Sequence, residues 1–114
     1  MYNLQGTVWE NAARVNRHSG PKADPTTIID TIHANQQVTI LCYSKGDTQT
    51  FANPFRTNTS DAWDFVVTSD QDPGGYVADV LIDTGGDIRQ QLGSQGTCDA
   101  LRQRLAGGPP TAIG

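Results

Sequence analysis

The sequence predicts a small all-β domain, either a barrel or a sandwich. Short runs of β-forming residues recur at intervals of about 8–12 residues, each bounded by turn-forming residues. The acidic residues support this fold class: only Glu10 is Glu and all the others are Asp, and Asp favours turns whereas Glu favours helices. The 12 Gly and 6 Pro residues among 114 indicate many loops. A chain of this length has the usual size of one domain.

The first half of the chain provides four candidate strands. Three are short and lie at residues 6–9, 13–17 and 27–32. Ser19-Gly20-Pro21 and Asp24-Pro25 separate the second from the third, because both segments favour turns. The clearest strand is residues 37–43, where side chains alternate between two faces, with Val38, Ile40 and Cys42 on one and Thr39, Leu41 and Tyr43 on the other.

The second half begins with a long polar stretch. Residues 48–61 contain Asn53-Pro54 and have low β-strand propensity, so they are predicted to form an extra loop between two strands. Asp72-Pro73-Gly74-Gly75 is a strong turn signal further along. Three more strands are predicted around that turn, at residues 63–68, 76–78 and 81–83. Residues 1–84 are therefore expected to form the β domain.

Residues 85–105 have a helical pattern. Asp87 is placed to cap a short turn, and Thr97 to cap a helix over residues 98–105 with Cys98, Leu101 and Leu105 on one face. A helix of about two turns is not stable alone in water, so residues 85–105 are expected to pack on the barrel. Residues 106–114 are rich in Gly and Pro and are predicted to be a flexible tail or linker.

Several segments match the pattern of a known family. The segments that carry the match are Gly6-Thr7-Val8, Val15-Asn16-Arg17-His18-Ser19-Gly20-Pro21, Ile28-Ile29, Gln37-Val38-Thr39-Ile40-Leu41-Cys42, Trp63-Asp64 and Gly75-Tyr76-Val77. In order and spacing they resemble bacterial SH3-like (SH3b) domains over about three quarters of the chain. The cysteine in the central strand and the later Thr97-Cys98 are similar to actinobacterial members of that family.

The resemblance implies a small SH3-like barrel of about 5–7 short strands with a short C-terminal helical appendage. It also implies a non-enzymatic module of the kind that targets cell-wall hydrolases and phage lysins to peptidoglycan peptides. Two departures from the family pattern are visible. Arg17 and His18 occupy the positions of the usual Val and Arg, which predicts a shifted or more open first loop, and the insertion at residues 48–61 is longer than usual.

The two cysteines allow two interpretations. Cys42 and Cys98 are either separate buried thiols or the two ends of one disulfide. The bridge is favoured, because Cys98 otherwise lies in a segment too short to fold alone. The chain-entropy model assigns about 4 kcal/mol to a bridge that closes a loop of this length.

A ligand groove is predicted between the first long loop (residues 16–24) and the insertion (residues 48–61). Polar and aromatic side chains in or near these segments are the candidate ligand-binding residues: Asn16, His18, Asp24, Tyr43, Phe51, Phe55 and Tyr76. No catalytic residue is expected, because no GxSxG, HExxH or Cys-His signature occurs. No metal site or cofactor is expected either, because there is no CxxC, and His18 and His33 lie apart from both thiols.

Charge and hydropathy limit the classes of partner that the protein can bind. A net charge of −4 with eight scattered cations argues against a nucleic-acid partner. The sequence contains no run of about 18 apolar residues, so no membrane span is predicted. The polar N-terminus has no signal-peptide core, so either the chain is not exported by that route or a signal or domain precedes it. The preferred partner is a cell-wall peptide or glycan, at an extracellular or cell-surface location. The alternative is a protein-protein module of a surface or phage virion assembly, suggested by Phe51, Phe55 and the Gly-Pro tail.

Overall fold

The fold is a single curled antiparallel sheet followed by two short helices. The computed structural model describes residues 3–107. The seven strands are β1 (Leu4–Val8), β2 (Arg14–His18), β3 (Ile28–His33), β4 (Gln37–Ala52), β5 (Thr57–Val67), β6 (Gly75–Ala78) and β7 (Ile82–Asp83). The helices are α1 (Ile88–Leu92) and α2 (Cys98–Gly107). Single 3₁₀ turns occupy Glu10–Ala12, Pro25–Thr27, Asp79–Leu81 and Ser94–Gly96.

The sheet confirms the predicted all-β class and the number of strands. Its strand order is β3-β2-β6-β5-β4-β1-β7, and every pairing is antiparallel. The strands curl into a half-barrel that has β3 and β7 as its two edges. Apolar residues from all seven strands and from α1 line the concave side, with Val8, Val15, Ile40, Val66, Val77 and Ile88 almost fully buried.

The polar segment at residues 48–61 is not a loop, and that prediction was wrong. Its residues belong to β4 and β5, which pair from Gln49↔Ser60 to Ala52↔Thr57 as a hairpin that is closed by residues 53–56. Asn53 holds the tip, because its side-chain oxygen accepts hydrogen bonds from the backbone N–H groups of Phe55 and Arg56. This outer part of the hairpin has few buried side chains, so its sequence lacks the apolar alternation of a half-buried strand.

A β-bulge in β4 changes which residues face the core. The pairing register of β4 with β5 shifts between Ile40 and Cys42. Beyond the bulge, Tyr43 joins Ile40 in the core cluster and is only 7% exposed, so the prediction that it faces the other side was wrong. The extra residue at a bulge reverses the alternation of side chains in the following residues. The Tyr43 hydroxyl donates to the carbonyl of Gly93 at 2.9 Å.

The C-terminal helices match their predicted capping residues. The Asp87 carboxylate accepts from the N–H of Arg89, and the Thr97 hydroxyl accepts from the N–H of Ala100. Helix α2 continues to Gly107, so it runs two residues past the predicted end. Leu105 is 65% exposed and does not share the buried face with Cys98. Residues 108–114, most of the predicted tail, lie outside the described residues.

The predicted disulfide is present. Cys42 in β4 is bonded to Cys98 at the start of α2, with the two Cα atoms 4.8 Å apart. The bond attaches the C-terminal helix to the middle of the sheet, as expected from the short length of that helix. Neither helix within residues 3–107 is long and apolar enough to cross a membrane.

Arg17 lies inside β2 rather than in an opened loop. Its guanidinium donates two hydrogen bonds of 2.7 Å to Asp30 and one of 2.5 Å to Asp72, and its side chain is 8% exposed. The Asp72 carboxylate also accepts from the backbone N–H groups of Thr68 and Gly74. The charged residue at a strand position is therefore accommodated by two carboxylates. We call these three side chains, Arg17, Asp30 and Asp72, the arginine cluster.

Candidate functional site

A cleft of about 680 Å³ lies between the tip of the β4-β5 hairpin and the segment that joins β6 to α1. We call it the hairpin cleft. It opens beside strand β7, and its lining is mostly polar. The residues that carry its chemistry are Trp9, Phe55, Arg56, Asp79, Asp83 and Asp87.

Two aromatic rings form one part of the cleft wall. Trp9 and Phe55 meet edge to face, with their ring centroids 5.9 Å apart. Phe55 is 83% exposed, which is unusual for a phenylalanine that has a partner ring. Trp9 follows β1 directly, and the next turn is tied to the hairpin by a 2.7 Å hydrogen bond from the Asn11 side chain to the carbonyl of Ala52. Phe55 is thus presented to solvent beside half-buried Trp9 on a supported backbone.

Charged side chains form the rest of the wall. Asp79, Asp83 and Asp87 contribute three carboxyl groups, and Arg56 and Arg89 contribute two cations. Arg89 forms an ion pair with Asp61 of β5, and this contact lowers the pKa of Asp61. Of the two cations, Arg56 is the one without a carboxylate partner among the described residues. Within residues 3–107, the cleft therefore has three carboxyl groups and one unpaired cation.

A pair of carboxyl groups lies behind the cleft. Asp64, in the middle of β5, is fully buried, and neither of its oxygens has a hydrogen-bond donor among residues 3–107. Its side chain contacts that of Asp79, whose Oδ1 is also buried without a donor within those residues. Burial and the neighbouring Asp79 raise the pKa of Asp64 well above its usual value, and burial likewise raises the pKa of Asp79. One proton shared between two carboxyl groups satisfies such a pair.

The first long loop (residues 16–24) contacts β4 at Gly46 and Asp47, just before the segment that was predicted as the insertion (residues 48–61). The backbone N–H of Asp47 donates to the carbonyl of Pro21, and the Asp47 carboxylate accepts from the N–H of Ala23. Gly46 allows this approach, because a Cβ atom there would lie 1.9 Å from the Pro21 oxygen. A small cavity of about 260 Å³ results, which we call the first-loop pocket. Two of the predicted ligand-binding residues, Asn16 and His18, line it together with Gln49 and Trp63.

His18 is held by the protein and is not a loop residue as predicted. It ends β2 and is 6% exposed. Its Nδ1 lies 2.8 Å from the Thr27 hydroxyl, and its ring meets Trp63 edge to face with centroids 5.4 Å apart. These contacts fix the imidazole as one wall of the first-loop pocket.

The other predicted site residues are dispersed. Asp24 caps the Pro25–Thr27 turn through hydrogen bonds from Thr26, and Tyr43 is in the core. Phe51 and Tyr76 both pack on the second apolar cluster, which contains Trp63, and Tyr76 also meets Phe65 edge to face. Of the seven candidates, Phe55 alone lines the hairpin cleft.

Sequence reasoning missed the carboxyl pair and Trp9 as site residues. A signal for Asp64 was present, because it occupies the slot between Ala62 and Val66 on the buried face of a predicted strand. Trp9 gave no comparable signal, because its exposure depends on a hairpin that the sequence predicted as a loop. Residues 3–107 bring no three His, Cys, Asp or Glu side chains together as a potential metal site.

Comparison with protein-family models, with curated proteins and with solved structures found no match to this chain. The resemblance to bacterial SH3-like domains therefore stays a prediction from its segments. Function has to be argued from the geometry of the hairpin cleft and the first-loop pocket.

Proposed function

We propose that this protein is a non-catalytic binding module that holds a bacterial cell-wall glycan or peptide in the hairpin cleft. The observation that carries the proposal is the pair of half-buried Trp9 and exposed Phe55 beside a wall of polar side chains. A sugar ring has an apolar face that stacks on an aromatic ring and hydroxyl groups that need polar partners. Sites of this kind combine a few aromatic anchors with placed polar groups.

The size of the hairpin cleft also favours it over the first-loop pocket. A volume of about 680 Å³ is in the range of ordinary ligand sites, whereas about 260 Å³ falls below it. The resemblance of residues 6–84 to SH3-like wall-binding domains supports a wall component as the ligand.

The position of the carboxyl pair supports binding rather than hydrolysis. Glycosidases place two carboxyl groups about 5–10 Å apart on either side of the scissile bond. Asp64 and Asp79 contact each other, and Asp64 is fully buried, so the two cannot flank a bound sugar. We therefore propose that the module recognises its ligand without transforming it.

The Cys42–Cys98 disulfide supports a location in an oxidising environment. We propose the cell surface or the extracellular space, with a phage virion as the alternative. Both locations would give the module access to a cell wall.

The test is co-sedimentation with insoluble peptidoglycan of several chemical types. The wild-type protein should be depleted from solution by at least one type, and the Trp9→Ala/Phe55→Ala double variant should bind it at least tenfold more weakly. Ile29→Ala is a matched control, because Ile29 is also an exposed apolar residue but lies on β3. No depletion by any wall type, or equal depletion of both variants, would reject the proposal.

A second candidate function is assembly with a protein partner. Strand β3 is an edge of the sheet, and it exposes Ile28 by 40% and Ile29 by 52%. An apolar edge strand can accept a strand from another chain. The mass of the protein in solution distinguishes the functions: an oligomer that Ile29→Lys dissociates and Phe55→Ala leaves intact would favour assembly through β3, and a monomer in wild type would disfavour it.

A further inference from the structure

The carboxyl pair needs an explanation beyond a generic binding cleft. Burying a carboxyl group without a hydrogen-bond donor is costly, and replacing it by an apolar side chain of similar volume is often neutral or stabilising. Asp64 nevertheless occupies the central strand of the sheet at 0% exposure, with no donor for either oxygen within the described residues. The position of its partner Asp79 indicates what the pair could do.

Asp79 connects the buried pair to the hairpin cleft. It lies in the turn after β6, contacts Asp64 on its inner side and lines the cleft on its outer side. Asp83 and Asp87 line the same wall. Two cations line the same cleft: Arg89 is paired with Asp61 and its charge also acts on Asp79, and Arg56 belongs to the hairpin tip. Asp83 and Asp87 each accept one backbone N–H, from Gly85 and Arg89, whereas Oδ1 of Asp79 has no donor among residues 3–107. Asp79 is therefore the carboxyl group of this wall that can take a donor from a ligand.

The aromatic part of the cleft wall also suits a cation. The faces of the Trp9 and Phe55 rings carry negative potential, which attracts ammonium groups that are partly removed from water. A primary ammonium group has three hydrogen-bond donors and a compact charge, so one carboxylate at Asp79 and others nearby can satisfy it. A neutral acetamide group has neither the charge nor the three donors.

We infer that the hairpin cleft selects ligands that carry a primary ammonium group, which binds Asp79 in the cleft that the Trp9–Phe55 pair also lines. This inference rests on the proposed function and specifies its ligand. Two wall components present that group: a de-N-acetylated amino sugar and the side-chain amine of a diamino acid in a wall peptide. Asp64 acts as a positioning residue, because it touches Asp79 and not the ligand.

Proton exchange follows from this arrangement. When the ammonium group binds, its charge replaces the proton that the two carboxyl groups share, and the proton passes to solvent. Asp87 and Arg89 at the start of α1 act on Asp79, Arg89 is paired with Asp61 of β5, and Asp83 of β7 and Arg56 of the hairpin tip line the same cleft. Affinity for a ligand whose amine stays protonated should therefore rise with pH while the pair still holds its proton.

The experiment compares two pairs of probes by isothermal titration calorimetry. One pair is a glucosamine tetramer and the N-acetylglucosamine tetramer. The other is a wall stem peptide with a free side-chain amine and the same peptide acetylated on that amine. We expect at least tenfold tighter binding of the free-amine member in one pair, and the pair that shows it identifies the source of the ammonium group.

Variants locate the effect. Asp79→Asn should abolish the preference for the free amine, whereas Asp70→Asn, an exposed turn residue outside the cleft, should retain it. Asp64→Asn should still bind, but the rise of affinity with pH should disappear, which a purely structural role would not produce. Near-ultraviolet circular dichroism checks that each variant is folded.

The outcomes separate the two proposals. Equal affinity for free and acetylated probes, with binding still lost in Trp9→Ala/Phe55→Ala, would overturn the ammonium inference and leave the binding function intact. A free-amine preference that persists in Asp79→Asn would also overturn it. No binding of any probe or of peptidoglycan would reject both proposals.

Discussion

Two regions of this small sheet bury charged side chains, and they do so in opposite ways. In the arginine cluster, the guanidinium donates to two carboxylates and to the carbonyl of Val66, and Asp72 has additional backbone donors. In the carboxyl pair, two like groups meet, and three of their oxygens have no donor among residues 3–107. The first arrangement stabilises the fold, whereas the second is unfavourable unless a proton or a ligand cation is bound. The contrast indicates which buried charges serve structure and which are available for binding.

The pKa values of the two regions follow the same division. The hydrogen bonds from Arg17 hold the pKa of Asp72 well below its usual value of 3.8. Burial raises the pKa of Asp64 well above that value. The stability from Asp72 is therefore present above about pH 4 and is lost as pH falls towards its lowered pKa. The stability from protonated Asp64 is full below pH 3.8 and is lost as pH rises towards its raised pKa.

The largest expected effect comes from removing a carboxylate of the arginine cluster. Asp72→Ala deprives Arg17 of one partner and leaves the N–H groups of Thr68 and Gly74 without their acceptor. We expect a loss of about 3 kcal/mol in the free energy of unfolding at pH 7. Urea denaturation followed by fluorescence measures it.

The matched control for Asp72→Ala is Asp70→Ala, two residues away in the same turn region. Asp70 is exposed, so its replacement should change stability by less than about 0.5 kcal/mol. Similar losses for the two variants would mean that the arginine cluster contributes little to the fold.

The carboxyl pair should respond with the opposite sign. Asp64→Asn removes the need to keep a proton in the core, and its amide can donate to Asp79. We expect the variant to be about 1–2 kcal/mol more stable than wild type at pH 7. At pH 4 the gain should largely vanish, because the wild-type pair is then protonated.

The pH dependence gives the check on this second prediction. Urea unfolding at several pH values should show wild type losing stability from about pH 4 upwards relative to Asp64→Asn. Asp70→Asn serves as the control and should run parallel to wild type. If Asp64→Asn is instead less stable than wild type at pH 7, the prediction is wrong, and the wild-type Asp64 side chain is stabilised by its surroundings.

The sequence predicted some features of the fold and not others, and the reasons are physical. The fold class, the disulfide and both helix caps depend on local composition and on cysteine number, so they could be inferred from short segments. The outer β4-β5 hairpin could not, because its strands are solvated on most positions and lack apolar alternation. A single bulge near Leu41 was enough to misplace Tyr43.

Charged residues in strands were the hardest to interpret. Arg17 at the position of the family's usual Val predicts a shifted or more open first loop. The sequence does not reveal its partners, because Asp30 and Asp72 are distant in sequence and adjacent only in the fold. The sequence does not reveal the partner of Asp64 either, because Asp79 contacts it from a different segment. Pairing across a sheet decides whether a buried charge is compensated, and composition does not report pairing.

The smallest expected effect comes from removing a partly exposed ion pair. Arg89 pairs with Asp61 at the rim of the hairpin cleft, where its side chain is 42% exposed. Arg89→Ala should therefore cost less than about 1 kcal/mol in the free energy of unfolding, and the cost should shrink at high salt because solvent screens the pair. Urea denaturation at low and high salt measures both quantities. A loss as large as that of Asp72→Ala would mean that Arg89 also compensates the buried carboxyl pair, and the distinction between the two regions would no longer hold.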